Sequence, residues 1–227
     1  MTLLALASMA VRPALEALAP LLRRPGAPVR IEAGGGVEVA RRIRAGARAD
    51  LAVLAADALA ALHAEGLAER PRPLWVSRTV AAVAADAPPV ALADTADLCA
   101  LLRAADGVAH STGPSGTALR ALVERLGLAG EVRLVQAPPG VPAGRLLREG
   151  AATVAFQQHS ELAALPGVRV LGPLPGDTAI TSLFAAAVLT SAPAPGPART
   201  LLGLLAAPEA TAVAERHGMH PHGNGAT

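Results

Sequence analysis

Lysine and tyrosine are absent from this chain, asparagine occurs once, and the aromatic side chains are two phenylalanines and one tryptophan. Every basic residue is therefore arginine, a bias that a GC-rich coding sequence produces. Acids nearly balance the arginines at a net charge of +2, and no basic run is interleaved with aromatics, which excludes a nucleic-acid partner. The single cysteine, Cys99, rules out an internal disulfide and any multi-cysteine zinc site. Lying in the apolar helical pattern of Asp97–Leu102, it reads as a buried structural thiol. Hydrophobic residues reach 52%, much of it alanine, yet no apolar run approaches the roughly 18 residues of a spanning helix, so membrane insertion is not expected. Nor does a basic residue precede the apolar segment Leu3–Val11; Arg12 follows it, the reverse of a secretory signal. That segment reads as a first strand. On this basis the chain as written is expected to be cytoplasmic, or periplasmic if the true start codon lies upstream.

What is present is a regular alternation of strand-like and helix-like segments. Leu3–Ala7, Val29–Ala33, Leu51–Ala55, Gly107–Ser111, Val132–Gln136, Thr153–Phe156 and Val168–Leu171 read as strands. Helical spacing marks Val11–Arg24, Val37–Ala45, Ala58–Glu65 (with Asp57 as its cap), Thr95–Arg103, Thr117–Leu126 and two pieces near the carboxyl end, Leu201–Ala206 and Pro208–Arg216. Such alternation specifies an α/β protein with mainly parallel sheets flanked by helices. Two long, extended, nearly uncharged segments, Leu74–Ala84 and Thr178–Leu189, would serve as crossings between two lobes. The expected division is 1–77 with 181–227 as one lobe and 78–180 as the other, with 219–227 a flexible tail.

Ligands of parallel sheets gather at the carboxyl ends of strands. Five loops fall there: Ser8–Ala10, Gly34–Gly36, His110–Gly116, Pro138–Gly144 and Gln157–Ser160. Four of the five are small, polar or rich in glycine, and none holds a carboxylate before its helix begins. The run Ser111-Thr112-Gly113-Pro114-Ser115-Gly116 is the most telling, because small hydroxyl residues and glycines sit where a helix exposes its first N–H groups and the positive end of its dipole. That arrangement suits an anion; a merely capped helix start is the plainer alternative.

The order of the Ser8 loop, the Gly34–Gly36 loop, Ala49–Ala55 and the Ser111–Gly116 loop resembles the periplasmic molybdate-binding protein family. The resemblance runs from Leu3 to about Met219. It implies a two-lobed type II periplasmic-binding-protein fold with a ligand cleft between lobes, an oxyanion held by hydroxyls and backbone N–H groups, and an ABC permease as partner. Ser111–Gly116, Phe156–Leu162 and Gly172–Pro175 look like a branch that includes proteins similar to aconitate isomerase. Carried over residue by residue, Ser8 matches the first-loop serine, the second-loop serine falls at Gly35 or Gly36, backbone contacts fall in Ser111–Ser115 and near Val141, and the family's tyrosine falls at Gln158. The missing serine and tyrosine widen the ligand class from molybdate or tungstate to small di- and tricarboxylates.

The candidate ligand-binding residues are thus Ser8, Gly35, Gly36, Arg78, Ser111, Thr112, Ser115, Val141, Gln157 and Gln158. Side-chain amides at Gln157 and Gln158 suit a carboxylate, although these residues could simply lead into a helix capped by Ser160. Arg78 offers a bidentate carboxylate contact or a plain surface charge. If the chain is instead an isomerase moving an allylic proton of an unsaturated carboxylate, His110, His159 or Glu161 would be its base. His217, His220 and His222 lie in a Pro/Gly-rich terminus without carboxylates. They are read as adventitious, and neither metal nor cofactor is called for.

Overall fold

Residues of the strands point alternately to two sheet faces, so a strand buried on both faces must be apolar at nearly every position. Leu51–Ala55 meets that condition, with all five residues buried. The computed structural model describes residues 2–22 and 28–222. In chain order these form β1 (Leu3–Ser8), α1 (Arg12–Leu22), β2 (Val29–Gly34), α2 (Gly36–Arg44), β3 (Leu51–Ala55), α3 (Ala56–Ala64), β4 (Arg72–Ala84), α4 (Thr95–Ala104), β5 (Val108–His110) and α5 (Pro114–Arg125). They continue as β6 (Leu134–Gln136), α6 (Arg145–Arg148), β7 (Val154–Gln158), α7 (His159–Ala163), β8 (Val168–Pro173), β9 (Thr181–Val188), α8 (Pro195–Leu205), α9 (Pro208–Glu215) and β10 (Met219–Pro221). The chain packs as two units, Met1–Ser77 with Leu183–Thr227, and Arg78–Ser182.

In the first unit β1 pairs in parallel with β2 and β3, while β9 joins β3 antiparallel and β10 pairs antiparallel with the first part of β4. Leu3, Ala5 and Ala7 of β1 share a core with Leu15 and Leu18 of α1, Leu201 of α8 and Ala214 of α9. Leu6, Ala52 and Leu54 point the other way and pack with Val39 and Ile43 of α2 and Leu59 and Leu62 of α3. Each fully buried leucine there contributes roughly 1.5–3 kcal/mol relative to exposure. Buried Asp50 accepts the N–H of Leu4 at 2.8 Å and of Ala194 at 3.0 Å, clipping the carboxyl-terminal segment to the sheet.

The second unit repeats the plan. β5 lies parallel to β6 and β7; β7 and β8 each pair antiparallel with the second part of β4. Phe156, Val108 and Ala81 face Leu98 and Leu102 of α4 and Leu119 of α5. Ala155, Ala109 and Val80 face Leu146 of α6 and Leu162 of α7 on the opposite side.

Several sequence-based expectations need correction. Each sheet is mixed rather than mainly parallel, because β4 and β9 run against the strands they join. Helix α5 begins at Pro114, whose fixed φ favours the first helical position, so Ser115 and Gly116 belong to its first turn. Helix α3 begins at Ala56, and Asp57 sits inside its first turn, accepting the adjacent Ala58 N–H. Ser160 lies within α7 rather than capping it. Cys99 is only half-buried, against the core of α4 and α5. Met219–Pro221 is a strand anchored by buried Met219, not a tail; residues 223–227 of that segment lie outside the described residues, as do positions 23–24 of the expected first helix.

Candidate functional site

The carboxyl end of β5 delivers the chain directly to the first turn of α5. Ser111 Oγ accepts the N–H of Gly113 at 3.2 Å and lies 3.1 Å from Ser115 Oγ, so the two hydroxyls brace one another across the turn. Gly113 occupies the cap position without a side-chain acceptor, and Pro114 has no N–H. The N–H groups of Gly116 and Thr117 both turn back to Gly113 O. The N–H groups of Thr112 and Ser115 have no acceptor among the described residues. Two hydroxyls and two free N–H groups therefore crowd the positive end of a helix dipole. The turn closes so tightly that a Cβ at Gly116 would stand 1.9 Å from Ser111 O and 2.9 Å from His110 Nδ1.

His110 is buried, and its Nδ1 lies 2.9 Å from Ser111 O. Because a carbonyl can only accept, Nδ1 carries the proton, and in the neutral ring Nε2 is the acceptor. Burial lowers the His110 pKa; the bond to Ser111 raises it in part, and Arg120 adds a smaller lowering.

A second donor cluster lies in the first unit. Ser8 ends β1 and its Oγ accepts the Ala10 N–H at 3.4 Å. Gly35 caps α2 without a side-chain bond, and Gly36 opens the helix with its Cβ direction 3.8 Å from Ser8 Oγ. Ser8, Gly35 and Gly36 are thus brought together around a helix start that offers backbone N–H groups and one hydroxyl.

The two glutamines part company because successive residues of β7 face opposite sides of the sheet. Gln157 is fully buried on the side of α6 and α7. Its Oε1 accepts the Ala143 N–H at 2.6 Å and its Nε2 donates to Glu161 Oε1 at 2.7 Å, which occupies the amide and removes Gln157 from the ligand candidates. Half-buried Glu161 is held in this relay; burial pushes its pKa up to about 8, against a smaller lowering by the Gln157 bond. It is engaged with Gln157 rather than poised beside the α5 turn. Gln158 faces the side of α4 and α5, next to Thr79 in the β4–β7 register. Its Nε2 donates to Ser182 Oγ at 2.8 Å, while its Oε1 has no partner among the described residues.

The remaining candidates separate. Val141 N–H closes a turn onto Pro138 O at 3.0 Å, so its backbone donor is already taken. Arg78 is exposed and makes no ion pair among the described residues. His159 opens α7 and is half-buried. Thr79 and Ser182 went unnoticed in the sequence, where nothing but their place on extended segments distinguishes them.

Residues 3–220 match the family described as bacterial extracellular solute-binding protein. Over 125 residues the chain is 34% identical to an aconitate isomerase of Pseudomonas sp., a match covering 53% of this chain and 47% of that protein, so the likeness spans about half the length of that curated relative. The periplasmic molybdate-binding protein of Azotobacter vinelandii superposes with a TM-score of 0.82 at 19% identity, covering 97% of this chain and 100% of that one. A tungstate ABC transporter structure from Geobacter sulfurreducens gives a TM-score of 0.73 at 16% identity, covering 95% and 98% of the two chains. At these identities the structural neighbours establish the fold, that of two-lobed periplasmic binding proteins.

Proposed function

The chain belongs to the bacterial extracellular solute-binding proteins, and on that premise we propose that it is a receptor for a small anion, either a molybdate- or tungstate-type oxyanion or a small di- or tricarboxylate. The α5 turn carries the reading. Free N–H groups at Thr112 and Ser115 beside the Ser111–Ser115 hydroxyl pair supply donors with no competing carboxylate in the turn. Ser8, Gly35 and Gly36 supply a second donor set of the same character, and Gln158 contributes an amide. Arg78 serves as an approach charge for anions. As an exported receptor, the protein would hand its ligand to an ABC permease.

A second reading is favoured by the aconitate isomerase likeness and by His110. A neutral imidazole held by Ser111 O, with Nε2 free to accept, is suited to take an allylic proton from an unsaturated carboxylate and return it at the other end of the allylic system. His159 and Glu161 are weaker candidates, since Glu161 is committed to Gln157.

Thermal-shift titration with molybdate, tungstate, sulfate, citrate and cis- and trans-aconitate, followed by NMR of any stabilising carboxylate, tests both readings. Stabilisation by at least one anion is expected. Response to molybdate or tungstate alone removes the isomerase, conversion of one aconitate isomer to the other removes the pure receptor, and no response to any anion overturns both.

A further inference from the structure

Within the second unit, Thr79 of β4 and Gln158 of β7 are directly opposed cross-strand partners, and both are buried, at 1% and 3% exposure. Neither satisfies the other: Thr79 Oγ1 and Gln158 Oε1 both lack hydrogen-bond partners among the described residues. Ser182 Oγ accepts a hydrogen bond from Gln158 Nε2, which leaves Gln158 Oε1 over. Native proteins rarely leave such groups unpaired, because each costs roughly 1–3 kcal/mol when buried alone. Two orphans side by side on adjacent strands are better explained by a shared partner than by two separate defects.

The position of the pair also matters. His110 lies opposite Phe156 in the parallel β5–β7 register, so Gln158, two residues further along on the same face, is level with the start of the α5 turn. Thr79 shares that face with Ala81 of the α4–α5 core. The orphans therefore sit at the same sheet edge as the candidate donors Thr112 and Ser115.

We propose that Thr79, Gln158 and Ser182 form a subsite for a hydroxyl group of the ligand, which makes the preferred ligand a hydroxy acid rather than a fully deprotonated tetrahedral oxyanion. A ligand hydroxyl completes both orphans at once, accepting from the Thr79 hydroxyl and donating to Gln158 Oε1. An oxo group or carboxylate oxygen can only accept, and leaves Gln158 Oε1 unpaired. The inference rests on the anion-receptor reading and narrows its ligand class.

Calorimetric titration with two matched pairs, citrate against tricarballylate and malate against succinate, isolates the hydroxyl. For whichever pair binds, the wild type is expected to favour the hydroxyl-bearing member by about 10-fold or more. Thr79→Val keeps the shape, removes the hydroxyl and is expected to collapse that preference to about 3-fold or less. Ligand-free Thr79→Val is also expected to melt at or above the wild-type temperature, since it removes an unpaired buried group. Equal or tighter binding of the deshydroxy acids overturns the subsite while leaving the receptor reading intact, as does a lower melting temperature of Thr79→Val. Binding of molybdate or tungstate with no response to either pair also overturns it. Failure of every anion to bind overturns both.

Discussion

Each unit of this protein opens a helix at the end of a parallel strand with glycine and serine, yet the two starts are built differently. In the first unit, Gly35 and Gly36 lead into α2, and a Cβ at Gly36 would meet only the Ser8 hydroxyl, at an ordinary contact distance of 3.8 Å. In the second, the α5 turn is filled. Ser111 and Ser115 brace each other, His110 is tied to Ser111 O, and Gly116 has no room for a single added carbon. A cradle built mainly of backbone accepts any anion of suitable size, whereas fixed hydroxyls and a packed imidazole discriminate by geometry. On the proposed reading, specificity resides in the second unit and the first supplies general anion affinity.

Gly116→Ala should break the contrast most forcefully. The new methyl meets Ser111 O, a backbone atom that cannot step aside, so a destabilisation of about 3 kcal/mol and loss of anion binding are expected from denaturant melts and calorimetry. The Glu161 relay gives the next largest effect. Below its ordinary value of 4.5 the carboxyl is neutral whether the chain is folded or not; above it the unfolded chain ionises while the folded protein holds its proton up to about pH 8. Stability should therefore fall as pH rises between those limits, by at most about 1.4 kcal/mol per pH unit. Glu161→Gln should flatten urea-derived stability across pH 5 to 8.

Side-chain deletions compare the two starts more finely. A Ser111→Ala/Ser115→Ala double variant should weaken anion binding by about 10-fold or more, and Ser8→Ala by a smaller factor of about 3. Equal losses would erase the distinction between the units. The smallest effect is expected for Gly36→Ala, where the added carbon only reaches contact distance of Ser8 Oγ; stability should change by no more than about 0.5 kcal/mol, with binding retained.

The α/β class and the loops at the strand ends were legible in the chain because both follow from local periodicity and from small residues at fixed places. Even the true start of α5 was written there, in Pro114, although the apolar repeat pointed three residues later. What stayed hidden depends on partners distant in sequence. Gln157 and Gln158 are the same residue type side by side, yet one meets Ala143 and Glu161 while the other meets Ser182, and only the pleat of β7 assigns them. Met219–Pro221 becomes a strand because Trp75–Ser77 lies beside it, which no nearby residue announces. Thr79 carries no motif at all; its interest comes from a buried hydroxyl without a partner among the described residues.

The most direct measurement follows the backbone amides of Thr112 and Ser115 by 15N-resolved NMR while the anion that stabilises the protein is titrated in. Capture of the anion by the α5 turn should shift both amide protons downfield in step with saturation, while Val141, already bonded to Pro138, stays nearly still. An anion that saturates the protein and leaves Thr112 and Ser115 unmoved would contradict the account.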